Sequence, residues 1–158
     1  MSLPTITAML TPTPSTREAI ADAMYRCLWG FDTADAELFA SSFTKDCVFD
    51  LNGKIMNSLD EIKTKCFDPI SKMDTTHFLT NVRVNHVEGE TKAVGTSCGL
   101  AQHYARGEGM TQDSKSLLVG SLYWYEFEKE ESTSLWKIKH WKIKSVWSEG
   151  DWAILDGE

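Results

Sequence analysis

The sequence predicts one α+β domain, with helices in the first half packed against one face of a strongly bent, mostly antiparallel sheet built from the second half. Three observations carry this. Two capping-box patterns, Ser15-Thr-Arg-Glu18 and Ser58-Leu-Asp-Glu61, open helical periodicities before residue 70. From Thr75 onward the apolar period shortens to that of strands, in long segments separated by polar or glycine-bearing connections. At 158 residues and 42% hydrophobic content the chain suits a single core. A domain of that length buries roughly 70% of the surface its unfolded chain exposes.

Taken in order, residues 1–14 carry prolines at 4, 12 and 14 and no basic start. They are expected to form a flexible N-terminal segment, neither signal peptide nor anchor, ahead of one domain over 15–158. Ile20, Met24, Cys27 and Leu28 recur at helical spacing, which predicts a first helix over Thr16 to Trp29, ended by Gly30. The Phe31-Asp32-Thr33 corner then leads to a second helix, about Ala34 to Phe43, with Leu38, Phe39 and Phe43 on one face. A short strand, Cys47 to Leu51, turns at Asn52-Gly53. The helix opened by Ser58 should stop before Pro69, with Asp68-Pro69 starting one more short turn.

The stretch Asp74 to Val87 reads as a core strand, with Phe78, Val82 and Val84 on one parity and no break in the alternation. Three strands follow, about Thr91 to Tyr104, Ser116 to Lys129 and Leu135 to Trp147. Gly95, Gly99 and Gly120 mark expected bends or bulges. In the last strand the apolar parity slips. One extra residue near His140-Trp141 would set Lys137, Lys139, Lys142 and Lys144 on a common outer face, which reads as solvated and edge-protecting.

Composition narrows the function. Sixteen basic against twenty-three acidic residues give a net charge of −7, which repels a phosphate backbone, so no nucleic-acid partner is expected. No window approaches the ~20 apolar residues of a membrane span. Cys27, Cys47, Cys66 and Cys98 lie far apart, without metal-ligand spacing, and read as reduced and structural, in keeping with the cytoplasm. No GxGxxG, GxSxG or P-loop is present, so the expected chemistry is side-chain acid-base work with no metal and no cofactor.

The histidines locate it. A hairpin across Glu88-Gly89-Glu90 sets His103 opposite about Thr75, within two residues of His77, so both imidazoles reach one end of a cavity. Ala93, Gly95, Ser97, Gly99 and Ala101 share the parity of His103, a small-residue face that either leaves a ligand pocket or lets the first helix pack closely. Asp32 either caps the second helix, in competition with Thr33, or hydrogen-bonds a histidine, setting its tautomer and raising its pKa. His140 turns inward at the bulge or rests between tryptophans, and His86 is expected to be solvated. Tyr25, Tyr104, Tyr123 and Tyr125 are candidate hydroxyl donors or core aromatics.

Asp32 in LWGFDTADAELFASSFTKDCVFDLNG, His77 in THFLTNVRV, His103 in GLAQHYARG and the ending WKIKHWKIKSVWSEGDW together resemble the SnoaL-like division of the nuclear transport factor 2-like superfamily, in its scytalone dehydratase-related branch. The resemblance covers about Ser15 to Trp152. It implies a cone-shaped barrel of a strongly curved, mostly antiparallel sheet with the N-terminal helices against its concave face. It also implies a buried pocket, cofactor-free chemistry and a homo-oligomer, trimer or dimer. The family's acid-base aspartate and two histidines match Asp32, His77 and His103. Positions that carry water-holding tyrosines in that branch are Phe31 and Leu51 here, and a polar pair becomes Val119 and Ser121. These changes make the pocket more apolar, as a terpenoid or reduced polyketide prefers. With Tyr25 and Trp147, these four residues form the expected substrate-contacting set.

The function this implies is a secondary-metabolism enzyme, a dehydratase, isomerase or cyclase acting on an oxygenated substrate, with a non-catalytic ligand carrier or assembly partner as the alternative. The tail around Trp152, Ile154 and Leu155 is expected to cover the pocket or a subunit contact.

Overall fold

Ser15 opens helix α1 (Thr16–Thr33) through a complete capping box, its hydroxyl accepting from Glu18 N–H while the Glu18 carboxylate accepts from Ser15 N–H. The computed structural model describes residues 3–156, so residues 1–2 and 157–158, the outer ends of the two expected segments, lie outside the described residues. Contrary to expectation, α1 does not stop at Gly30. A Cβ there would lie 2.8 Å from the backbone nitrogen of Phe39, so the glycine serves a close crossing with the next helix and leaves the helix intact. The stop falls at Ala34, which adopts left-handed φ of 54° and donates its N–H to the Gly30 and Phe31 carbonyls. Asp32 thus sits in the last turn of α1, ahead of the corner, and Asp35 caps α2 (Ala36–Ser41) by accepting from Leu38 N–H at 2.9 Å.

Arg26, 4% exposed, ties these elements together by pairing with Asp22 and donating to Ser41 and to the Trp136 carbonyl at 2.7 Å. Strands β1 (Phe43–Leu51) and β2 (Lys54–Met56) form a hairpin over Asn52-Gly53, both with positive φ as a two-residue turn requires. A continuous helical path follows: α3 (Leu59–Ile62), capped by Ser58, a π-helical turn at Lys63–Phe67, and α4 (Asp68–Ile70), which admits Pro69 in its first turn.

Four long strands, β3 (Asp74–His86), β4 (Lys92–Tyr104), β5 (Ser116–Lys129) and β6 (Trp136–Gly150), complete a curled six-stranded sheet in the order β2-β1-β6-β5-β4-β3. All pairings are antiparallel except β1 with β6. The sheet is cone-like but not closed: β2 and β3 are its two edges. Helix α1 lies across the concave face, burying Ile20, Met24, Cys27 and Phe31 against Tyr125, Phe127 and Trp141. Trp141 stacks between Phe49 at 4.6 Å and Tyr125 at 5.8 Å. No helix among the described residues is long and apolar enough to cross a membrane.

The expected bulge is present. Glu126 pairs with His140 while Phe127 pairs with Ile138, leaving Lys139 as the extra residue, its ammonium on Asp46. Two further bulges are present, one at the expected Gly120 and one that escaped the sequence reading. One inserts Val146 between the pairs Gly120–Trp147 and Ser121–Ser145. The other, at Asn81 with φ of 54°, breaks the β3 alternation that the sequence presents as continuous. Phe78 therefore faces outward, 52% exposed, while Leu79, Val82 and Val84 pack toward the core.

Candidate active site

Because β3 and β4 pair as a simple hairpin from Asp74 to Thr80, Thr75 lies opposite His103 and His77 opposite Ala101, with Leu79 opposite Gly99. Side chains alternate, so Thr75, His77 and His103 all face the concave side. The last turn of α1 ends above them. Asp32 there accepts three hydrogen bonds: from the Thr75 hydroxyl at 2.8 Å, from the His77 backbone N–H at 2.8 Å, and from His77 Nδ1–H at 2.6 Å. Phe31, the preceding residue, lays its ring on the His77 imidazole at 5.4 Å. The His103 ring meets that imidazole edge-on at 5.5 Å, with its Nδ1 3.3 Å from the Leu117 carbonyl.

These partners fix the tautomers. Each Nδ1 faces an oxygen that can only accept, so each carries its hydrogen there, and the neutral form of either ring has its lone pair at Nε2. Burial pushes the Asp32 carboxyl up, but the hydrogen bonds and charge of His77 and the Thr75 hydroxyl outweigh it, holding the group ionised below its ordinary value. His103 goes the other way. Burial first, and then the neighbouring His77, push its pKa down to about 4, against smaller opposing effects from the Leu117 carbonyl and Asp32. One imidazole thus has a carboxylate ready to stabilise a positive charge, and the other stays neutral at pH 7.

The small-residue face of β4 is largely filled. The Tyr123 ring occupies the space a Cβ would take at Gly99, 2.1 Å away, and Met24 and Phe127 crowd Gly95 at 3.2 and 3.1 Å. Close packing accounts for that end of the sheet. Nearer the histidines, the His77 and Asp32 side chains keep 9% and 13% of their surface open. Two hollows, of about 580 and 530 Å³, lie against the outer side of α1 and the β3 edge, lined in part by Arg17, Val82 and Val84, and neither includes the histidines.

Of the expected substrate-contacting residues, Phe31 joins the cluster, and Val119 lies in the cross-strand row His77–Ala101–Val119. Ser121 is one row further along the concave face, its hydroxyl 3.4 Å from that of Ser145, which Asn52 also contacts at 3.0 Å. Leu51 is half-buried at the margin of the core. Two residues are placed elsewhere. Tyr25, 48% exposed, follows Met24 and turns away from the buried face of α1 into the outer hollow. Trp147, 51% exposed, pairs with Gly120 on the convex side because the Val146 bulge resets its parity.

His140 also faces outward, edge-on to Trp124 at 5.4 Å, and His86 packs edge-on to Trp136 at 5.2 Å while contacting the Glu90 carbonyl. Tyr123 and Tyr125 are core aromatics, 6% and 1% exposed. After Gly150 the chain folds back into a 3-10 helix (Trp152–Asp156), where the Trp152 indole N–H donates to Ser148 at 3.0 Å, in the same row as Val119. Thr75 went unassigned in the sequence reading, although its place two residues before His77 put it on the same side of the strand.

This curled sheet, with an acid and two imidazoles beneath its first helix, defines a recognisable class: residues 13–142 match the SnoaL-like domain, and the chain belongs to that family. A relative from Penicillium crustosum, named terrestric acid biosynthesis cluster protein E, is 51% identical over 155 residues, covering 98% of this chain and 99% of that one. Among solved structures, a protein of Novosphingobium aromaticivorans provisionally named scytalone dehydratase superposes with a TM-score of 0.71 at 21% identity, over 85% of this chain and 86% of that one. The hexachlorocyclohexane dehydrochlorinase of Novosphingobium barchaimii gives 0.68 at 20% identity, over 87% and 90%. At these identities the two structures establish the fold.

Proposed function

We propose that this chain is a secondary-metabolism enzyme, a lyase or isomerase that needs no cofactor and works on an oxygenated polyketide- or terpenoid-like molecule. One observation carries the reading: Asp32 grips His77 through both imidazole and backbone, beside a second, neutral imidazole. The name of the Penicillium relative supports the metabolic setting, and the dehydratase and dehydrochlorinase names among the structural neighbours support an elimination.

His77 Nε2 takes a proton from an activated carbon, and the Asp32 carboxylate stabilises the imidazolium that forms. The electron pair left on carbon forms the new double bond as the neighbouring C–O bond breaks. The departing hydroxyl takes the same proton back from His77 and leaves as water. Returned to a different carbon, that proton completes an isomerisation. His103 does not donate in this scheme. Its Nδ1 hydrogen is engaged by Leu117, and with a pKa of about 4 its Nε2 has no proton to give at neutral pH. It accepts a hydrogen bond from a substrate hydroxyl and orients it. The second histidine is therefore assigned a role as acceptor.

The test is to incubate purified protein with oxygenated polyketides and terpenoids and to follow, by mass spectrometry and chromatography, loss of one water or a shift to an isomer. His77→Ala should lower turnover about 10²- to 10⁴-fold, the usual share of general acid-base help, with the circular dichroism unchanged. Undiminished turnover in that variant sinks the assignment, and saturable binding without product identifies a ligand carrier.

A further inference from the structure

We infer that the Tyr123 hydroxyl faces the acid-base cluster and donates the hydrogen bond that holds a substrate carbonyl oxygen as negative charge gathers on it. This assignment rests on the reaction proposed above, in which His77 takes a proton from an activated carbon.

Register sets the direction of the side chain. Tyr123 pairs with Ser97, yet its ring does not stay over that pair. It crosses diagonally to Gly99, two residues nearer the histidines on β4, where its Cζ and hydroxyl oxygen lie 2.1 and 2.2 Å from the place a Cβ would take. The same step repeated, one strand over and two residues along, arrives at His77, which pairs with Ala101. Diagonal neighbours on one face of a sheet stand about 7–8 Å apart, roughly the span of a carbonyl group and its adjacent carbon with a contact at each end. The ring belongs to the core, and the hydroxyl marks the boundary between that packed end of the sheet and the acid-base cluster.

The donors around the cluster point to the same group. The Thr75 hydroxyl donates to Asp32, the Nδ1 hydrogens of His77 and His103 go to Asp32 and the Leu117 carbonyl, and the Ser121 hydroxyl donates to Ser145. The side chains of Phe31, Ala101 and Val119 have no polar hydrogen. Burial raises the Tyr123 pKa, the Cys27 and Cys66 thiols raise it further, and no hydrogen bond opposes them. The phenol therefore keeps its proton and, among the described residues, has no acceptor for it. A buried hydroxyl in that state costs free energy until a ligand supplies the missing oxygen.

The electrons balance with Tyr123 as donor. His77 Nε2 takes the proton, the C–H electron pair moves through the adjacent carbon onto the carbonyl oxygen, and the Tyr123 O–H hydrogen-bonds that oxyanion without giving up its own proton. When the pair returns, the carbonyl re-forms, a carbon–carbon double bond forms as the neighbouring C–O bond breaks, and the departing hydroxide takes the proton from His77 and leaves as water.

Tyr123→Phe, which removes the hydroxyl and keeps the ring, tests this. Its kcat should fall about 10²- to 10³-fold, the usual cost of one oxyanion donor, with KM, circular dichroism and thermal midpoint close to wild type. Binding of 4-nitrophenolate, a planar oxyanion followed by its absorbance, needs no turnover and should weaken at least about tenfold in the same variant. A kcat loss under about tenfold in Tyr123→Phe, alongside the full loss in His77→Ala, overturns the assignment of Tyr123 and leaves the proposed reaction standing. If the wild-type chain turns over no substrate, the reaction fails and the phenolate decides on Tyr123 alone: equal affinity in the two proteins, or binding by neither, overturns the assignment.

Discussion

His77 and Phe78 are consecutive residues of one strand, yet they face opposite sides of the sheet, and around them the polarity is the reverse of the ordinary arrangement. The concave side holds a carboxylate, two imidazoles and a threonine hydroxyl, and the convex side holds exposed phenylalanine, leucine and tryptophan. Alternation along β3 separates them, but it does not decide which side is buried. Helix α1 decides that by lying across the concave face. The polar groups remain there because each has a partner: Asp32 takes three hydrogen bonds, and each Nδ1 meets an oxygen. The lesson is that a buried polar cluster and an exposed apolar row are each informative, and here a single peptide unit separates them.

The largest expected difference between the two sides is chemical. His77→Gln should lower turnover about 10²- to 10⁴-fold, whereas His140→Gln, on the convex side beside Trp124, should leave it unchanged. Equal losses in both variants would break the contrast.

Acid should unfold the concave cluster first. His103 takes a proton near its ordinary 6.5 in the unfolded chain but only at about 4 in the folded one. Between those values the unfolded state binds more protons, so the stability present above pH 6.5 falls as pH drops toward 4, by about 3 kcal/mol. The depressed Asp32 carboxyl adds its own loss at lower pH, as it too becomes protonated. Urea denaturation across this range should show the slope, and His103→Gln should flatten its upper part.

The smallest effects compare two glycines that share a device. Tyr123 lies over Gly99 on the concave side as Trp147 lies over Gly120 on the convex side. Gly99→Ala should cost about 1–3 kcal/mol, because the Tyr123 ring is enclosed and has nowhere to go. Gly120→Ala should cost under about 1 kcal/mol in the isolated chain, because the half-exposed indole can swing outward. Thermal denaturation at low protein concentration measures both, and equal costs would mean that the two faces are packed alike.

Much of this arrangement was legible in the sequence because it depends on local rules. The capping boxes at Ser15 and Ser58, the Asn52-Gly53 turn and the Glu88-Gly89-Glu90 hairpin, which placed His103 opposite Thr75, all report short-range geometry. What escaped depends on contacts between distant segments. Gly30 reads as a helix end until Phe39 is seen crossing it, so Asp32 was placed in a corner when it occupies the last turn of α1. The bulge at Asn81 carries no glycine or proline signal, the one at Val146 is signalled only from the facing strand by Gly120, and each reverses the parity of everything beyond it. That reversal is why Trp147 was assigned to the pocket and is found on the opposite surface. At Gly95 and Gly99 the small residues of β4 make room for Met24, Phe127 and Tyr123, the close-packing alternative of the sequence reading.

The place of β6 has a consequence for biosynthesis. It leaves the ribosome after the other five strands, yet it lies between β1 and β5 and joins the early hairpin to the late meander. Until residues 136–150 are made, β1 has only β2 beside it, Phe43 has no strand partner, and the aromatic stack on Trp141 cannot form. Pairing across so long a separation slows folding and leaves the nascent N-terminal half exposed to aggregation. A premature stop between Leu117 and Trp136 should therefore yield an insoluble or rapidly degraded chain, even though every residue of the acid-base cluster would already be present.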